Sequence, residues 1–187
     1  MGQTRLNLKS VTTLLIDSDQ FTRGLIAQML RGFGMDFPTV CETGAQAKHH
    51  LNHHYADLII VEAALPDMES PDLIRWIRRQ EKSPFRFVPV IVLSGYTQLR
   101  LISSVRDAGA NLVVKKPVSP SGLFDRICWV ARTVRPFIEA GDFIGPDRRF
   151  KDIPPPDGEM KRETDAAADG NDTGAVAAQQ KLNTAAA

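Results

Sequence analysis

Four short apolar runs in this chain each end on a polar side chain. Leu14-Leu15-Ile16 ends at Asp17, Leu58-Ile59-Ile60-Val61 at Glu62, and Val90-Ile91-Val92-Leu93 at Ser94. Leu112-Val113-Val114 ends at Lys115-Lys116-Pro117. Two carboxylates, a hydroxyl and an ammonium at the ends of neighbouring parallel strands would form a site for a phosphoryl group and a cation. The central carboxylate is Glu62, and the chain turns just after it through Ala64-Leu65-Pro66.

The runs alternate with helical patterns. Val11 to Ile16 reads as a strand buried on both faces, and a helix follows from about Gln20 to Arg31, capped by Asp19. Leu25, Ile26, Met29 and Leu30 are its expected inward face, and Gly32 and Gly34 stop it. A short strand, Thr39 to Cys41, comes next, then a helix opened by Thr43 and Gln46 at capping-box spacing. Ser70-Pro71 reads as an N-cap with proline at the first helical position. The third helix it opens turns Leu73, Ile74 and Ile77 inward. A strand over about Val88 to Leu93, a helix over about Gln98 to Ala108 and a strand over Leu112 to Val114 complete the alternation. Ser119-Pro120 opens a fifth helix, whose apolar face is Leu123, Ile127, Val130, Val134 and Phe137. Five strands and five helices in alternation make a parallel α/β sheet covered on both faces. Functional groups then belong at the carboxyl ends of the strands.

Length and composition bound the function. The chain has 187 residues and 43% hydrophobic content, enough for one domain plus an extension. No apolar stretch approaches the roughly 18 residues of a membrane span. No secretory signal follows Met1, and two cysteines form neither a disulfide framework nor a zinc motif. A cytoplasmic protein is expected. Residues 141–187 carry nine acids and six bases, which leaves 17 bases against 13 acids before them. That excess of about +4 is too mild for DNA binding. The expected organisation is a domain at 10–140, a short arginine-containing extension at 141–151 and a disordered tail at 152–187. The tail follows Pro154-Pro155-Pro156 and is rich in alanine.

The ordered set resembles the receiver domain of two-component response regulators over about residues 10–138. Asp17 stands where that family begins its acidic pair, and Glu62 stands at the phosphoacceptor aspartate. Leu65-Pro66-Asp67-Met68 resembles the loop that follows. Ser94 matches the switch hydroxyl, Lys116-Pro117 the lysine-proline pair, and Asp107-Ala108-Gly109-Ala110 the end of helix four. The resemblance implies a CheY-like, flavodoxin-like doubly wound sheet of strand order 2-1-3-4-5. It also implies transfer of a phosphoryl group to the acceptor carboxylate, with magnesium and lysine shielding the charge.

Three positions depart from the pattern. Glu62 is one methylene longer than aspartate, about 1.3–1.5 Å, enough to misplace an in-line nucleophile. Ser18 stands where a second metal-binding acid is usual, so Asp17, Glu62 and the Ala64 carbonyl remain as donors for a weakened magnesium site. Val113 stands where an aromatic switch residue is common. The expectation is an atypical, non-enzymatic pseudo-receiver in phosphorelay signalling. It would act by protein interaction without aspartate phosphorylation, with Glu62 either reaching toward Lys116 and Ser94 in imitation of the phosphorylated state or standing as a tolerated acid in an inactive site. The implied partners are a histidine kinase, a phosphotransfer protein or a downstream target. The resemblance also points to a homodimer through helix four, strand five and helix five; Trp129 and Phe124 on helix five are candidate contacts, with the core as the alternative place for Phe124.

Other features carry alternatives. Arg148 and Arg149, flanked by Phe143, Phe150 and Lys151, could hold cyclic di-GMP, as arginine-rich extensions of some receiver-like proteins do. Asp17-Ser18-Asp19, with Ser94 and Lys116, resembles the motifs of haloacid-dehalogenase phosphatases. Gln20-Phe21 departs from that pattern, and no acidic pair follows the lysine. His49, His50, His53 and His54 make two i, i+4 pairs in one helix, a spacing that chelates metals or lines a solvated face.

Overall fold

A computed structural model describes residues 8–81, 83–95, 99–133, 135–141 and 143–147. Five parallel strands form one sheet: β1 (Thr13–Ile16), β2 (Thr39–Cys41), β3 (Leu58–Glu62), β4 (Val90–Ser94) and β5 (Leu112–Lys115). Their order is β2-β1-β3-β4-β5, the doubly wound order expected. The helices are α1 (Gln20–Gly32), α2 (Gly44–His53), α3 (Ser70–Arg78), α4 (Leu99–Asp107) and α5 (Pro120–Arg132). An antiparallel hairpin, β6 (Phe137–Ala140) with β7 (Phe143–Pro146), follows α5.

Alternation along the central strands divides the core into two layers. Leu14, Ile16, Ile59, Val61, Val90 and Val92 face Ala47 and Leu51 of α2, Leu73, Ile74 and Ile77 of α3, and Val105 of α4. Leu15, Leu58, Ile60, Ile91 and Leu93 face Ile26 and Leu30 of α1 and Leu123, Ile127 and Val130 of α5. Each fully buried aliphatic side chain stabilises the fold by about 1.5–3 kcal/mol. The register aligns the strand ends: Ile16 pairs with Val61, Glu62 with Leu93, and Ser94 with Lys115.

Three local expectations are corrected. Leu25 is 42% exposed; α1 turns Ile26, Met29 and Leu30 inward and leaves Leu25 on its flank. Ser70 is the first residue of α3, and Glu69 holds the cap position without a side-chain bond. The cause is the preceding loop, where Leu65 N donates to Met68 O and Ser70 N donates to Ala63 O, drawing Ser70 onto the strand end. Helix five stops at Arg132, and Phe137 opens β6. Pro136 disfavours helical backbone at Arg135 and has no N–H for the ladder, so the periodicity through Phe137 was not helical. Val134 lies outside the described residues.

The hairpin packs on the amino-terminal edge of the sheet. Gly109, at φ 97°, leaves only 2.4 Å between a Cβ built on it and Ile144 O, and a Cβ on Gly145 would lie 2.6 Å from Gly109 Cα. Two glycines therefore let the hairpin backbone rest on the α4–β5 turn. Beneath it lies Arg78, 1% exposed. Its guanidinium donates to Gly109 O at 3.0 and 2.9 Å, to Arg86 O, and to Val88 O at 2.8 Å. The Phe137 ring covers it at 5.0 Å. Burial pushes Arg78 down to about 9, so it stays charged at neutral pH and is balanced by carbonyl dipoles. Arg86, in the connection between α3 and β4, pairs with Glu139 of β6, a second tie between the hairpin and the rest of the fold. Gly141, at φ 59°, lies in the hairpin turn, so the hairpin spans both sides of the division expected near residue 140.

Candidate functional site

The site lies where β1, β3, β4 and β5 end. Asp17 is buried and fully engaged: Oδ1 accepts from Asp19 N at 2.8 Å, and Oδ2 accepts from Lys116 Nζ at 2.7 Å. Glu62 ends β3; Oε1 accepts from Ala63 N at 3.0 Å, and Oε2 pairs with the same Lys116 ammonium. Lys116 reaches the site because its own N–H donates to Ser94 O at 2.7 Å, continuing the β4–β5 ladder one residue past β5. The Lys116–Pro117 peptide is cis. Ser94 itself is buried at the end of β4.

The structure thus brings Asp17, Glu62, Ser94 and Lys116 to one edge. Ala64 is exposed in the following loop, where it bridges to Glu69. Val113 lies on β5 opposite Val92, half-buried against the α3/α4 layer. Arg148, Arg149, Phe150 and Lys151 lie outside the described residues, as does the segment 152–187.

Two residues take roles at the site that the sequence did not indicate. Arg23, on α1, donates to Asp17 O at 2.7 Å and Ser18 O at 2.9 Å and pairs with Glu42 at 2.7 Å. It clamps the loop carrying the acidic pair's position. Asp67 reaches across to α2, where its two oxygens accept from Gly44 N and Ala45 N, each at 2.8 Å. Although burial opposes it, these amides hold the Asp67 carboxyl below its ordinary value. Arginine at one turn into a helix and aspartate in a loop are common solvated residues, so spacing alone could not single them out.

Asp19 is a helix cap. Its carboxylate accepts from Thr22 Oγ1 and Thr22 N, which keep it below its ordinary value, the hydroxyl first. Ser119 caps α5 in the same way through Gly122 N. Thr43 Oγ1 accepts from Gln46 N, while Gln46 Oε1 accepts from Glu42 N, one residue beyond the expected box partner. His49, His50 and His53 lie in α2, and His54 is its C-cap residue. Burial first, then His54 and His49, push the His50 imidazole below its ordinary value.

One ammonium between two carboxylates leaves the site with a net charge of −1. Lys116 and Glu62 are only 19% and 17% exposed, so their attraction is less screened than in a surface pair. The same arrangement tests the fit of magnesium. That ion takes near-octahedral oxygen donors. Here the hydroxyl of Ser18 replaces a carboxylate, and Lys116 occupies the place between Asp17 and Glu62 where a cation would be held. As arranged, these donors do not make a magnesium site.

Known proteins place the frame. The family model described as response regulator receiver domain matches residues 13–128. The chain is 27% identical over 132 residues to the sensory/regulatory protein RpfC of Xanthomonas campestris, across 70% of this chain and 18% of that protein. It is 29% identical over 114 residues to the transcriptional regulatory protein PdtaR of Mycobacterium tuberculosis, across 61% of this chain and 53% of that one. It therefore spans at most about half the length of either relative. The solved receiver domain of the sensor histidine kinase PA1611 of Pseudomonas aeruginosa, with magnesium in its active-site cleft, is 27% identical. It superposes with a TM-score of 0.57 over 62% of this chain and 93% of that structure. The strand order and the family match across residues 13–128, most of the chain, agree: this chain belongs to the response regulator receiver domain family.

Proposed function

We propose that this receiver signals without being phosphorylated at Glu62. The observation that carries the reading is the ion pair between Glu62 and Lys116, with Asp17 on the same ammonium. In a phosphorylated receiver the lysine pairs with the phosphoryl group; here the longer acid meets it directly. Glu62 stands in the phosphoacceptor position, and Ser94 and Val113 occupy the switch positions. The neighbouring backbone is then held in one arrangement by a permanent charge pair in place of a transient one. Magnesium has no role in holding that arrangement.

The output in this reading is binding to a protein, inside the cytoplasm and away from DNA. A histidine kinase, a phosphotransfer protein or a downstream target supplies the partner, and the surface is α4–β5–α5. Leu99 at the start of α4 is 82% exposed, an apolar side chain available on that surface. The same surface suits a homodimer. Trp129 is half-buried beneath Arg135, and Phe124 is half-buried, packing at 5.1 Å on Phe33 at the end of α1 and against the core layer there. Among the described residues no helix is long and apolar enough to cross a membrane.

The test is incubation with magnesium and acetyl phosphate, followed by intact mass, and a parallel titration with beryllofluoride. The expected result is no phosphoryl adduct and no change in tryptophan fluorescence. A covalent phosphate on Glu62 would sink the reading.

A further inference from the structure

We propose that the carboxyl-terminal end of α2 binds divalent transition-metal ions through two histidine pairs, His49–His53 and His50–His54. The four-residue spacing puts both rings of a pair on one side of the helix. The ring centroids lie 4.8 Å apart in each pair, His49–His53 tilted at 45° and His50–His54 stacked at 25°, so rotation about the side-chain bonds brings both rings of a pair to one ion. His49, His53 and His54 are exposed, so ions reach them from solvent.

The ring chemistry of one pair is already set. His53 Nδ1 lies 2.9 Å from His49 O. A carbonyl oxygen can only accept, so Nδ1 carries the proton and the neutral ring keeps its lone pair on Nε2. Metal-binding histidines are oriented in this way, with the second nitrogen donating to a carbonyl or carboxylate. His50 and His53 also sit in the last turn of α2, where the helix dipole favours positive charge.

The donor set selects the ion. Imidazole nitrogen suits nickel, copper and zinc, and discriminates against magnesium and calcium. Among the described residues no third histidine, cysteine or acid joins either pair. Each pair therefore contributes two nitrogens, and water completes the shell. The sites belong to the end of α2 that leads into the start of β3, so they are separate from the carboxylates at the strands' other ends.

The experiment uses the untagged full chain near neutral pH. Nickel chloride titrated by calorimetry is expected to saturate at two equivalents. H49Q with H53Q removes one, H50Q with H54Q removes the other, and E62Q leaves both. In the unsubstituted chain, copper should broaden amide signals around residues 44–58 selectively. Fewer than two saturable equivalents at millimolar nickel overturns the proposal. So does binding that survives replacement of all four histidines, or broadening centred on Asp17 and Glu62.

Discussion

Lys116 Nζ lies 2.7 Å from Asp17 Oδ2, joining residues 99 apart in the chain across the mouth of the sheet. The same nitrogen pairs with Glu62, so one cation is shared by two carboxylates at neighbouring strand ends. Substituting Lys116→Met leaves Asp17 buried at 2% exposure beside a second carboxylate. Unfolding free energy should fall by about 1–3 kcal/mol at neutral pH. Magnesium should raise the melting temperature of the variant and leave the parent unchanged, because the freed oxygens then lack a cation. Equal magnesium effects on both proteins count against the lysine as the resident cation.

The acceptor chemistry should be recoverable. Glu62→Asp withdraws the carboxylate from Lys116 by about one bond length, and Ser18→Asp supplies the missing oxygen donor. The double variant should bind magnesium and take up a phosphoryl group from acetyl phosphate, read by intact mass. Glu62→Asp alone should label weakly. Failure of the double variant to label means that more than these two side chains has changed at the site.

The type of the sheet elements was legible because buried parallel strands must be apolar on both faces, and all four site strands are; their order in the sheet came with the family resemblance. The strand-end residues followed from that frame. Arg78 was not legible: an arginine late in an amphipathic helix reads as solvent-facing, and only the folded chain brings Gly109 O, Arg86 O and Val88 O around it. The hairpin was hidden for a related reason. Phe137 kept the helical spacing of α5, and the signal that broke it was Pro136, a residue whose effect falls on its neighbours. Asp67 was visible only as a loop acid, since its partners on α2 lie more than twenty residues away.

The hairpin's seat depends on close backbone approach. Gly145→Ala places a methyl 2.6 Å from Gly109 Cα, where neither backbone can yield cheaply. Overpacking of this kind costs about 1–3 kcal/mol. The variant should unfold at lower urea, and limited proteolysis should cut between residues 133 and 147 faster than in the parent. Gly24→Ala is the matched control. It lies within α1 with open space where its Cβ would go, and should stabilise by about 0.5–1 kcal/mol. A Gly145→Ala chain as stable and as protease-resistant as the parent removes the hairpin from the folded unit.

Asp67 links the loop after Glu62 to α2 through two amide hydrogen bonds and the helix dipole. Its carboxyl is held below the ordinary value of 3.8 in the folded protein. A depressed acid contributes stability that is fully present above the unfolded value and is lost as pH falls through the folded one. Asp67→Asn keeps the shape but removes the charge and one acceptor oxygen, and should cost about 1 kcal/mol near neutral pH. Urea unfolding of parent and variant should show that difference as constant from about pH 7 to 5 and shrinking below about pH 4. A gap that widens on acidification would mean that Asp67 acts through something other than its charge on the α2 amides.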